Sequence, residues 1–149
     1  MNRNSLFDNP LAVFLLFLLV GFTNIILSVH FVSLLLAGVV FIAFLRCIEK
    51  RYYYSLLLVI FTFTLIESNQ GLNLFSLSIM SLFIYLFIIP KIKTLLTFVS
   101  LYTLGIVFIF YLGIIVLYSI FSDINSLFLS KILFNYILDI FLVGILIWD

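Results

Sequence analysis

The sequence holds one cysteine, one histidine, one tryptophan, two prolines and six glycines in 149 residues, and only 9% of its side chains are charged. A single thiol cannot close an intramolecular disulfide, and a lone Cys47 with a lone His30 does not supply the ligand set of a Cys/His metal site. Seven basic residues against six acidic ones give a formal net charge of +1 with no block of like charge, which excludes a basic surface for nucleic acid. The shortage of charge is the deficit that decides the class. Soluble domains carry roughly 25% charged and about 45–50% apolar residues, whereas this chain is 66% hydrophobic with a mean hydropathy of +1.45. It lacks a polar coat for water and is expected to be a membrane protein.

What the sequence does have is long apolar runs containing 19 phenylalanines. At ~20 residues per crossing, a chain of about 150 residues accommodates six spans and no separate soluble catalytic domain. Charged and turn-forming residues delimit candidate spans at Pro10–Leu27, Phe31–Leu45, Tyr52–Ile66, Leu72–Ile89, Leu95–Phe121 and Leu127–Trp148. The runs are continuous rather than alternating and exceed the ~10 residues of a barrel strand, so they predict helices. The boundary near Ser28-Val29-His30 is the weakest, and one long helix across it would leave five spans. Gly21-Phe22-Thr23-Asn24 is not a small-residue cleavage site, so the first span is expected to be retained. No internal repeat or linker interrupts residues 1–149, which predicts a single integral membrane domain of the all-α, polytopic transmembrane bundle class.

Charge asymmetry orients the bundle. With the N-terminus inside, Arg3, Arg46, Lys50, Arg51, Lys91 and Lys93 fall on the cytoplasmic side, while His30, Glu67 and Asp123 fall outside. Lys131 alone dissents, and its stem can snorkel to the outer surface. Both termini are therefore expected to be cytoplasmic. Tyr52-Tyr53-Tyr54 and Trp148 sit at inner interfaces, where amphipathic rings anchor helices.

Polar residues inside so apolar a chain are the candidates for function. The densest group is Thr62, Thr64, Glu67, Ser68, Asn69, Gln70 and Asn73 around Gly71, at the outer turn between spans three and four. Arg51 to Glu67 covers ~24 Å of helix, less than a ~30 Å hydrocarbon core, so Glu67 is placed at or slightly below the outer interface. One reading is a polar hairpin tip with Glu67, Asn69 and Gln70 wet, Gly71 relaxing the turn and Asn73 capping the next helix. The other is a partner-docking patch made of Glu67, Asn69, Gly71 and Asn73. A second feature is Lys131, Asn135 and Asp139, spaced i, i+4, i+8 on one face of the last span. Asp139 falls near mid-bilayer, at a cost of roughly +3 kcal/mol that the surrounding Leu, Ile, Phe and Val residues offset. Such a carboxyl usually faces the bundle interior as helix glue or marks an ion path; a relay would need further acids or histidines in other spans. Ser76, Ser78, Ser81, Gly105 and Gly113 are small residues that would let helices approach, although no GxxxG occurs. His30 reads as a solvated turn residue, and Cys47, beside Arg46, as a quiet juxtamembrane thiol or a palmitoylation site. Convergent catalytic groups are missing, so no enzyme activity, metal or cofactor is expected.

The arrangement resembles the bacterial rod-shape-determining MreD family. The likeness lies in Arg51-Tyr52-Tyr53-Tyr54 opening the third span, Glu67 ending it, Gly71-Leu72-Asn73-Leu74-Phe75-Ser76-Leu77-Ser78 opening the fourth, and Asn135 in the last. It departs from that pattern in its acid, which is Glu67 rather than Asp, in Ile140 where the family often has proline, and in Asp139. The resemblance implies a small, non-enzymatic protein of the bacterial inner membrane that associates with the periplasmic scaffold MreC and with wall-synthesis proteins to position lateral peptidoglycan synthesis. Glu67 and the Gly71–Asn73 turn would then contact the scaffold, so Glu67→Ala is expected to weaken binding without loss of insertion. Asp139→Leu is expected to be tolerated if that acid is only glue. An alternative of another class is the substrate-binding subunit of an energy-coupling-factor vitamin transporter. Those subunits typically dock through alanines four apart on the first span, and Ala12, Ala37 and Ala43 lack that spacing. A third is a bacteriocin immunity protein, which no specific feature favours.

Overall fold

The structure, a computed structural model, describes residues 10–29, 36–95, 99–121 and 126–148, and among them every regular element is a helix. Arg3, His30, Asp123, both chain termini and the side chain of Trp148 lie outside the described residues. Six helices follow one another: α1 (Pro10–Val29), α2 (Ala37–Lys50), α3 (Tyr53–Gln70), α4, α5 (Val99–Phe121) and α6 (Ser126–Trp148). α4 is one continuous rod made of Ser76–Phe83, a π-helical turn Ile84–Ile88, and Ile89–Leu95. Three stretches of described residues, Ser76–Thr94, Tyr102–Ile120 and Ser126–Ile145, are long and apolar enough to cross a membrane.

α2 lies at the centre, against α3, α5 and α6, while α1 packs on α3 at the edge and α4 bridges α3 and α5. Position follows composition. Ala37 to Leu45 contains no polar side chain, and every one of those residues is buried. Phe41 stacks on Phe110 of α5 at 4.3 Å with ring planes 7° apart, and Phe63 of α3 completes the cluster at 6.2 Å from Phe110. Stacked pairs of this kind add roughly 1 kcal/mol beyond the area they bury. Lateral faces are the reverse: Leu15, Leu19 and Phe22 on α1 and Leu133, Ile137 and Phe141 on α6 are large, apolar and exposed.

Helix ends differ from the expected span limits for local reasons. α2 starts at Ala37 rather than Phe31 and runs on through Arg46 to Lys50, where it closes with Tyr52 N–H donating to the Cys47 carbonyl and Arg51 N–H to that of Ile48. That pair of bonds is a Schellman ending, which calls for a left-handed residue, and Arg51 takes the place usually given to glycine at φ 58°. α4 begins at Ser76 because 71–75 are consumed by the turn, and it continues past Pro90. A proline inside a helix lacks the N–H and collides with the carbonyl four residues back. The π-helical turn just before Pro90, in which Ile89 N–H reaches Ile84 O, widens the rod where that collision would fall.

The turn from α3 to α4 is where glycine is required. Gly71 sits at φ +69°, its N–H and that of Leu72 both meeting the Glu67 carbonyl. An added Cβ would meet nothing within 4 Å, so only the backbone conformation resists substitution. Gly71→Ala is accordingly expected to lower stability by about 1 kcal/mol, read as a shift in detergent-solubilised thermal unfolding. No shift would mean that the turn relaxes to another conformation.

Candidate functional site

Two buried carboxylates organise the molecule, and each does the same work on a different helix. The first four N–H groups of any helix have no partner inside it and are normally met by a Ser, Thr, Asp or Asn at the N-cap. Here the N-cap residues of α2 and α4 are Leu36 and Phe75, and neither makes a side-chain cap bond. The missing acceptors come from elsewhere in the chain.

At α4 the acceptor is Glu67, in the last turn of α3. Its Oε2 accepts the Phe75 N–H at 2.6 Å and its Oε1 the Leu77 N–H at 2.5 Å. With its backbone carbonyl also closing α3, Glu67 ties the end of one helix to the start of the next. Its side chain is fully buried, so the expectation that Glu67 is wet is corrected, as is the assignment of the cap to Asn73. A carboxylate outcompetes an amide for this place because negative charge is favoured at the positive end of a helix. The rest of the polar group divides in two. Thr62, Thr64 and Ser68 donate back to the carbonyls of Leu58, Phe61 and Thr64 in their own helix. Asn69, Gly71 and Asn73 are exposed, together with Leu74 and Phe75.

At α2 the acceptor is Asp139, from the middle of α6. Its Oδ2 accepts the Gly38 N–H at 2.6 Å and the Tyr111 hydroxyl at 2.5 Å, and the side chain is fully buried between α2, α5 and α6. The approach depends on Gly38: a Cβ there would lie 2.7 Å from Asp139 Oδ2 and 3.0 Å from Val107 Cγ1. Tyr111 is held in turn by edge-on contact with Tyr136 at 5.5 Å. The expected stripe is thus split by function. Asp139 looks across to α2, Asn135 is buried and donates to the Lys131 carbonyl in its own helix, and Lys131 is exposed.

Sequence reasoning named both acids but missed Gly38 and Tyr111, the partners of one, and the backbone of 75–77, the partner of the other. A glycine inside one apolar span and a tyrosine near the middle of another were the available signals. Gly113 does serve close approach, since a Cβ there would fall 2.5 Å from Met80 Sδ. Cys47 is buried, 1% exposed, and does not present the accessible thiol that palmitoylation needs. No group of three or more His, Cys, Asp or Glu converges among the described residues. A groove between α1 and α3, lined by Phe14, Phe17, Gly21, Phe61, Thr62 and Leu65 among others, holds no ionisable side chain. Comparison with known proteins finds no matching family model, curated protein or solved structure.

Proposed function

We propose that the protein is a non-enzymatic, six-span component of the bacterial inner membrane, with both termini cytoplasmic. In this reading it works as an MreD-type subunit, binding a periplasmic scaffold of the MreC kind and wall-synthesis proteins and so helping to place lateral peptidoglycan synthesis. The observation that carries the reading is the form of the outer turn. Glu67 accepts the Phe75 and Leu77 N–H groups from beneath, and Asn73, Leu74 and Phe75 of the turn, with Asn69 at the end of α3, are exposed. Phe75 is 51% exposed and sits at φ 67°, a left-handed conformation that costs a bulky residue roughly 1–2 kcal/mol. Strain maintained at an exposed aromatic points to use of that side chain. A preorganised aromatic anchor with a polar rim is the form that protein interfaces favour. The docking role inferred for Glu67 passes to these neighbours, and Glu67 positions them.

The test is cross-linking of the tagged protein in native membranes, with identification of what co-elutes. Wild type is expected to recover the scaffold and wall-synthesis proteins. Phe75→Ala combined with Asn73→Ala is expected to reduce that recovery by tenfold or more, on the order of one interface hot spot, at unchanged membrane abundance. Recovery of the ATPases and membrane subunit of a vitamin transporter would overturn the reading.

A further inference from the structure

We draw no further inference here: the strongest candidate, the apolar groove between α1 and α3 lined by Phe14, Phe17, Gly21, Phe61, Thr62 and Leu65 among others, carries nothing because nothing in the structure shows what covers it.

Discussion

Asp139→Leu is expected to destabilise the folded bundle by about 3 kcal/mol and to lower its abundance in membranes. The loss of hydrogen bonds is the smaller part, because bonds between membrane helices average only ~0.6 kcal/mol in double-mutant cycles. The larger part is what stays behind. The Gly38 N–H and the Tyr111 hydroxyl remain buried with no acceptor, and the branched leucine must fit the space that Gly38 and Val107 leave for a flat carboxyl. Asp139→Asn keeps an oxygen for both donors and is expected to cost less than about 1 kcal/mol. Tyr111→Phe removes a donor and leaves Asp139 bonded to Gly38, a cost of about 1 kcal/mol. Gly38→Ala attacks the same contact from the other side and should approach the leucine variant, since the neighbour at 2.7 Å is a carboxyl oxygen fixed by two bonds. Denaturation in detergent ranks the four. Equal stability of the leucine and asparagine variants would show that the carboxyl does not cap α2. Tolerance of leucine was expected only if Asp139 is no more than helix glue, and its bond to the Gly38 N–H at the start of α2 gives it a further role.

The contrast between the two acids and their partners shows what was legible in the sequence. Helical class followed from continuous apolar runs, and the six helices follow the six candidate spans because charged and turn residues interrupt the runs at nearly every join. Gly71 was readable as a turn because left-handed backbone favours glycine. Leu36, Arg51 and Phe75 were unreadable for the converse reason: they occupy the same region of backbone space without the residue that announces it. Asp139 could be called buried and inward-facing from its place in an apolar helix, but Gly38 lies 101 residues away in sequence. Pairing by hydrogen bond to a backbone N–H leaves no complementary side chain for a reader to find. Glu67 was misjudged as wet for the same reason. A glutamate beside Ser68, Asn69 and Gln70 looks like part of a polar loop, and Asn73, a conventional cap residue, concealed that α4 takes its acceptor from outside.

Glu67→Ala turns that correction into a measurement. The variant leaves the Phe75 and Leu77 N–H groups without an acceptor and removes the charge that complements the α4 N-terminus, for an expected loss of about 3 kcal/mol. Glu67→Gln keeps one acceptor oxygen but turns an amide NH2 toward one of the two N–H groups, so it should fall between, at about 1–2 kcal/mol. Glu67→Asp retains the charge on a side chain shorter by one methylene and is expected to reach one N–H but not both. The order Glu, then Asp and Gln, then Ala in thermal stability is what a cap produces. A surface docking residue would give four proteins of equal stability that differ only in partner recovery. Because the cap also sets the backbone of Phe75, the two effects are coupled in one direction. Loss of Glu67 should abolish recovery of any partner held by the outer turn, whereas loss of the Phe75 side chain should abolish recovery and leave unfolding unchanged or slightly later. Finding partner recovery intact in Glu67→Ala, with the protein still folded, would separate the turn from binding and leave the cap as the whole role of the residue.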